Sequence, residues 1–466
     1  MTRHQKRGIA LGRKPRKPGT ARRTRTARTA AVCVAAAVTA VVFPAAPVAH
    51  AATVDCTTLD LVNAINTANS GGDNVLDLTD HCVYSLTSAA SGEDGLPPIT
   101  AADVVVHGHH ATIRRDPTAT DTFRVFDVSA GAGLHLDNLA VMGGSTTTQG
   151  GGIVVQGGGT LTADTVSVQG NRSTVYGGGV GVDNTGSAGF TDSRVSDNSS
   201  GSEGGGIDAE GTVTLLRTTV RGNRAIGGGG INTEAAAQTL TITDSVIANN
   251  TGREFSGGLD LDGGNTTITG SGILDNRAIH ESFAGGVYSG SGSTLHITGS
   301  TISGNSAAAP SGPAAGGIEA DGDVTITDAD ITRNSLVGTQ AAGAGIAQFA
   351  GTLTLDTVNV TGNLASGRYS HGGGVWSRSD GLDISDSHID GNKVAGTGAY
   401  AAGLYNETTP VSLTDSTVST NTAPTTPAPG GIWTNVQFTL NGTNTFTDNT
   451  PTNCLRSPVI VTGCVT

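Results

Sequence analysis

The chain has 466 residues with 26 Lys or Arg against 39 Asp or Glu, a formal charge of −13, 70 glycines and only 4% aromatic residues. The acidic excess argues against nucleic-acid binding and against adhesion to anionic membranes, both of which need cationic surface. Glycine at this level with so few aromatics means either disorder or a repeat, and its regular spacing identifies a repeat.

The first 51 residues carry eleven Lys or Arg and no acid, and an apolar run from Ala31 to Phe43 leads to Ala49-His50-Ala51. This is the pattern of a secretory signal peptide cleaved before Ala52, with an apolar run too short to span a bilayer. Cleavage leaves 15 basic against 39 acidic residues, a formal charge of −24. Arg22-Arg23 leaves the export route open. The expectation is a secreted, extracellular protein that does not insert into a membrane once its leader is removed.

Cys33 leaves with the leader. Cys56 and Cys82 lie near the mature N-terminus and Cys454 and Cys464 near the C-terminus, which suggests two local disulfides in an oxidising compartment. Between the first two, Leu59, Val62 and Ile65 recur at helical spacing. A short amphipathic helix over Thr58 to Asn69 is therefore expected to cap the N-terminal end of the core.

From residue 143 one unit recurs. In GGGIDAEGTVTLLRTTVRGN, residues 204–223, glycines precede an apolar residue, and apolar positions then alternate up to a closing Asn. The asparagines are Asn171, Asn198, Asn223, Asn250, Asn276, Asn305, Asn334, Asn363, Asn392, Asn421 and Asn449, spaced 25 to 29 residues apart. The apolar residue after the glycines keeps the same period, as at Ile153, Val180, Ile207, Ile231 and Leu259. Such a period means a solenoid, and alternation within each unit means strands. Each unit is read as three short strands making one coil of an all-β, single-stranded parallel β-helix of 11–12 coils. Inward Ile, Val and Leu would supply the core, glycines the corners, and the asparagines a hydrogen-bonded ladder. The expected organisation is leader 1–51, cap and first coils 52–142, repeats 143–449, and a disulfide-closed end 450–466.

The run CTTLDLVNAINTANSGGDNVLDLTDHCVYSL, followed by LPPIT and VVVHGHHATIRRD, resembles the N-terminal portion of secreted bacterial β-helix proteins with a CSLREA-type start. The repeats resemble those of polymorphic outer-membrane proteins, with Val or Ile mostly replacing the Phe of their FxxN element. The resemblance covers Cys56 to about Asn449. It implies a right-handed helix and, loosely, an adhesive or surface role, and it carries over no catalytic residue. CTTLDL departs from CSLREA, and no translocator barrel follows the repeats.

Numbering each unit from the apolar residue after the glycines, positions 0 and +2 point inward and +1 and +3 outward. The outward set has an acidic stretch, Asp183, Asp208, Glu210, Glu234, Asp260 and Asp262, and then an aromatic one, Tyr288, Trp376, Tyr405 and Trp433. The carboxylates are candidate Ca²⁺ ligands, a candidate acid pair of a polysaccharide-cleaving enzyme, or a solvated acidic face. The aromatics are a candidate stacking platform for sugar rings or a partner protein, or a small satellite core under the longer loops that follow Asn276. His107, His109 and His110 read mainly as exposed turn residues, with metal binding as the alternative. No Ser-His-Asp or Cys-His arrangement is legible. The functional expectation is a non-catalytic exoprotein that engages polysaccharide or a cell-surface component, with no nucleic-acid partner. The alternative is a Ca²⁺-dependent polysaccharide lyase or a glycoside hydrolase.

Overall fold

The computed structural model describes residues 51–234, 238–280, 283–310, 314–378, 380–424 and 429–464. The leader expected over residues 1–51 lies outside them except for Ala51. Among the described residues no helix is long and apolar enough to cross a membrane.

Strand pairing begins at Ala52–Val54 against Val75–Leu78, well before the first Gly-Gly unit. The chain winds as a right-handed parallel β-helix of about 14 turns, more than the 11–12 counted from the repeats. The additional turns come from the region before residue 143, which coils without the glycine marker.

A typical unit holds Ile207–Ala209, Thr212–Leu216 and Thr219–Arg221, the three strands expected, and a two-residue fourth, Arg224–Ala225. Each pairs in parallel and in register with its counterparts above and below. Ile207 lies between Val180 and Ile231, and Val220 between Val195 and Ile247. Like therefore stacks on like, and the buried apolar residues form one continuous core from Val54 to Val461. The first strands make a 12-stranded sheet from Phe126–Val128 to Ile432–Thr434, and the fourth strands a 7-stranded sheet from Arg224–Ala225 to Lys393–Ala395. Under the latter a second small core forms from Ala278, Ala307, Leu336, Ala365 and Val394.

The asparagine ladder runs from Asn171 to Asn449. Asn223 donates from its backbone N–H and its Nδ2 to Oδ1 of Asn250, both at 3.0 Å, and from Nδ2 to the Val195 carbonyl at 3.0 Å. The same three bonds repeat in each coil, so every amide is satisfied although the side chains are buried. A second, hydroxyl ladder stands five residues earlier in the unit: Thr218 N–H donates to Ser245 Oγ, Ser245 N–H to Ser271 Oγ and Ser271 N–H to Ser300 Oγ, each at 3.0 Å.

Helix α1, Thr58–Asn69, starts at Thr57, whose hydroxyl accepts from the Asp60 N–H. Its buried face is Leu61, Ile65 and Ala68, not the expected Leu59–Val62–Ile65 stripe; Leu59 is 67% exposed. Spacings of four and three residues put Leu61, Ile65 and Ala68 in line over the first coil, and Leu59 falls on the opposite side. Both expected disulfides are present, Cys56–Cys82 and Cys454–Cys464. Cys56 and Cys82 close a loop with a sequence separation of 26 that holds α1 on the core. A Cys56→Ala, Cys82→Ala variant is expected to lose about 3 kcal/mol of unfolding free energy, read from urea denaturation with the second disulfide intact. A midpoint equal to the parent's would show that α1 docks without the bridge.

Candidate functional site

Positions 0 and +2 of each unit point into the core as expected. Position +1 departs from expectation: Asp208, Asp260 and Glu319 are 3–4% exposed, Trp376 4%, Tyr405 5% and Tyr288 8%, and only Trp433 is partly open. The cause lies in the returning chain. The coils of Asp260, Tyr288 and Glu319 have Ser256, Ala284 and Ala315, without positive φ, three residues before the apolar marker, but in other coils the backbone there enters the left-handed region, at Gly177 (φ 60°), Gly204 (φ 63°), Gly372 (φ 56°) and Ala401 (φ 55°). This turns the residue at −4 over position +1. At Gly204 a Cβ would come within 2.6 Å of the Asp208 Cβ, so the close approach itself requires glycine.

Three rows thus run side by side along the axis: −4, the covered +1, and +3. In the +3 row Asp183, Glu210 and Asp321 are half-buried and Glu234, Asp262 and Arg378 exposed.

In the first half the rows bring carboxyls together. Asp208 accepts from Asn232 Nδ2 at 3.0 Å and from Gln149 Nε2 at 3.3 Å, and Asn232 Nδ2 also reaches Glu234 Oε1 at 3.3 Å. Burial pushes the Asp208 carboxyl up to about 7 against the lowering bond from Asn232, and the Glu234, Glu210 and Asp183 charges add to the rise. Asp260 is likewise pushed up to about 7 by burial and by the Asp262 charge, opposed by the N–H groups of Ser256 and Gly228. Glu203, at position −4, is pushed up by burial and by the hydrogen bond and charge of the neighbouring Glu234. The Tyr176 hydroxyl is raised by the neighbouring Glu234 and Glu203. Among the described residues, no three carboxylates of this strip bring their oxygens within 4.8 Å of one another.

In the second half the aromatic +1 residues pack as the satellite core that was one of the two expectations. Trp376 and Tyr405 cluster with Ala315, Ala342, Ala347 and Ala401, and Phe349, Tyr400 and Trp433 pack against them. Tyr405 stacks on Trp433 at 4.6 Å and on His371 at 4.8 Å, and Tyr288 stacks on Phe283 at 4.6 Å. Ring faces are thereby covered by other rings. Beside these rings, among the described residues, lies a cavity of about 210 Å³ lined by Gln340, Ala342, Tyr369, His371, Trp376, Arg378, Tyr405 and Glu407. Tyr405 donates to Glu407 Oε1 at 3.3 Å, and the Arg378 guanidinium lies 5.6 Å from the Trp376 ring centre. Burial lowers His371 to about 4, so its imidazole is neutral at pH 7, and its buried Nδ1 has no hydrogen-bond partner.

A family model of the right-handed β-helix region matches residues 125–312 and again 256–450. The chain belongs to the right-handed β-helix family. No curated protein and no solved structure matches it. Membership of the β-helix family establishes the winding and leaves the chemistry to the side chains along it.

On this β-helix the −4 row is what sequence reasoning missed: Gln149, Tyr176, Glu203, Phe255, Phe283, His371 and Tyr400. The signal was present, because these residues keep the repeat period and stand just before the corner residue. Their spacing across that corner follows no strand alternation, so an inward–outward count passes over them.

Proposed function

We propose that this β-helix is exported and binds a polysaccharide, without cleaving it, along the side formed by the −4, +1 and +3 rows. The observation that carries this reading is the cavity at Tyr369, His371, Trp376, Arg378, Tyr405 and Glu407. It joins the exposed ring of Tyr369, which suits sugar C–H surfaces, to a cation and a carboxylate, which suit hydroxyls. The acidic strip continuing along the axis favours neutral or amino-sugar chains over polyuronates. The basic leader and the resemblance to CSLREA-type and polymorphic outer-membrane repeats support an extracellular, surface-engaging role.

A glycoside hydrolase acting on the same chain is the second reading. It is favoured by Asp208, held near 7 beside the Glu203–Glu234 pair, since general acid–base hydrolysis needs one protonated and one ionised carboxyl in reach of the same bond. The Ca²⁺-dependent lyase requires several oxygens around one point, and among the described residues no specific observation of the strip favours it over the other two readings.

The test uses mature protein recovered from the medium, whose first residue is expected to be Ala52, on neutral, amino-sugar and uronate polysaccharides. Arg378→Ala with Glu407→Gln is expected to weaken retention by more than about tenfold, as loss of charge-assisted hydrogen bonds does. Retention without new reducing ends supports the binding reading, and products that vanish in Asp208→Asn select the hydrolase. Failure both to retain and to cleave every one of the glycans sinks both. Trp376→Ala is a poor probe because it opens the satellite core.

A further inference from the structure

Three side chains outside these rows converge at the N-terminal end of the solenoid. Asp80 and His81 occupy the centre of a four-residue turn closed by the Cys82 N–H on the Thr79 carbonyl at 3.1 Å. His110 comes from the next coil. His81 Nδ1 lies 2.7 Å and His110 Nδ1 3.6 Å from Asp80 Oδ1, and the three donor groups fall within 4.8 Å of one another. The two imidazoles face each other with ring centres 4.9 Å apart.

The backbone builds this meeting. The register between Val104–Arg115 and Gly133–Met142 passes from His107 opposite Asp137 to Ala111 opposite Leu139, so Gly108, His109 and His110 bulge out opposite Asn138 alone. Gly108 is needed where the bulge leaves the sheet, since a Cβ there would lie 2.4 Å from the Leu139 Cβ. His81, His109 and His110 all adopt left-handed backbone, with φ of 54°, 47° and 65°. The His81 N–H bonds the His109 carbonyl at 2.9 Å, and Cys82, next to His81, is tied to Cys56. Turn and bulge are therefore held against each other by main-chain bonds and a disulfide, while the side-chain donors remain exposed and reachable.

We propose that Asp80, His81 and His110 form a binding site for a borderline divalent cation of the zinc class. Two imidazoles and one carboxylate are a nitrogen-rich donor set that suits Zn²⁺ and its transition-metal neighbours and does not suit Ca²⁺ or Mg²⁺, which take oxygen cages. Bonds of about 2.0–2.2 Å to a common centre need only small side-chain rotations from the present separations. Water completes the coordination on the open side. The ion joins two successive coils beside the Cys56–Cys82 bridge, at the end of the stack that helix α1 covers.

The experiment is a calorimetric titration of the mature chain with Zn²⁺ at pH 7.5, followed by thermal unfolding with and without the metal. One equivalent should bind and raise the melting temperature, and an equal concentration of Ca²⁺ should do neither. His81→Ala and His110→Ala should each weaken Zn²⁺ by more than about tenfold, as loss of a ligand must exceed loss of an outer-shell partner. His135→Ala is the control, because His135 pairs with Asp164 at 3.5 Å away from the cluster and should leave binding unchanged. No Zn²⁺ binding, or binding that survives in both His81→Ala and His110→Ala, overturns the proposal.

Discussion

Asn305→Ala is expected to lower the unfolding free energy by about 4 kcal/mol, the largest effect of any single polar substitution in the solenoid. The native side chain accepts from the Asn276 N–H at 2.9 Å and Asn276 Nδ2 at 3.1 Å, and donates to the Ile273 carbonyl at 2.8 Å and to Asn334 Oδ1 at 3.0 Å. Alanine breaks all four bonds in a place that water does not reach, since Asn276, Asn305 and Asn334 are fully buried. Two donors on Asn276 are then orphaned, at about 1–3 kcal/mol each, and a carbonyl loses its side-chain donor. Ser300→Ala in the hydroxyl ladder provides the comparison. Ser300 Oγ accepts one N–H, from Ser271, and returns its proton to the Thr298 carbonyl at 2.8 Å. The chain already places Ala329 and Val358 at the equivalent position of later coils, so this change should cost no more than about 1.5 kcal/mol. Urea denaturation of the two variants decides the matter, and equal losses would mean that the asparagine ladder carries no special share of the stability. Hydrogen exchange adds a local reading: the Asn276 amide should lose protection in Asn305→Ala and keep it in Ser300→Ala.

The ladder and the core were legible in the sequence because a solenoid gives each position the same surroundings once per coil, and the sequence repeats accordingly. Val213, Leu215, Val220 and Asn223 sit where alternation and period place them. What alternation could not show is that an outward position is covered by another part of its own coil. Asp208 and Asp260 point away from the core, as expected, but Asp260 is met by Gly227 of the preceding coil, and Asp208 is covered by Glu203, laid over it by the left-handed residue three places before the marker. That residue is glycine at 177, 204 and 228 and alanine at 401, so composition alone does not mark it. The fourth strand escaped notice for a different reason. Two residues such as Arg224–Ala225 are too short to alternate, and they become visible as a sheet only through stacking on Thr251–Gly252 and Arg277–Ala278. Trp376, Tyr405 and Trp433 are neighbours at one-coil spacing, whereas Tyr288 stands three coils from Trp376 with Glu319 and Ala347 between. The packing of Trp376 and Tyr405 into a satellite core draws on His371 and Tyr400, and that of Tyr288 on Phe283, all from the −4 row, whose register was not drawn.

The covering of position +1 has a thermodynamic signature: the protein should become less stable as pH rises from about 4 to 7. Asp208 and Asp260 have ordinary carboxyl values of 3.8 in the unfolded chain and about 7 in the folded one. Below the lower value both states are protonated and nothing is lost. Between the two values the folded state holds protons that the unfolded state has released, so stability falls with pH, and above the upper value the loss is complete. At 1.36 kcal/mol per unit the ceiling is about 4 kcal/mol for each group, and the pair will give less than the sum because their strip is shared. Glu93 acts in the opposite sense, lowered to about 2 against its burial by the hydroxyls of Thr146, Thr147 and Thr148; its stabilisation is full above its ordinary 4.5 and lost only as pH falls towards 2, so it adds no slope between pH 4.5 and 7, and exposure weakens it. Asp208→Asn should therefore be more stable than the parent at pH 8, by about 1–3 kcal/mol, and no more stable at pH 4. The substitution is sterically conservative, because Asn232 already occupies the same position in the coil between Asp208 and Asp260. Thermal unfolding from pH 4 to 8 measures the slope, and a parent stability that stays level across that range would show that these carboxyls are solvated despite the row above them. The result bears on function as well. A falling curve that is flattened in Asp208→Asn means a strip that carries protons at neutral pH and can donate hydrogen bonds to sugar hydroxyls, whereas a fully ionised strip could only accept them.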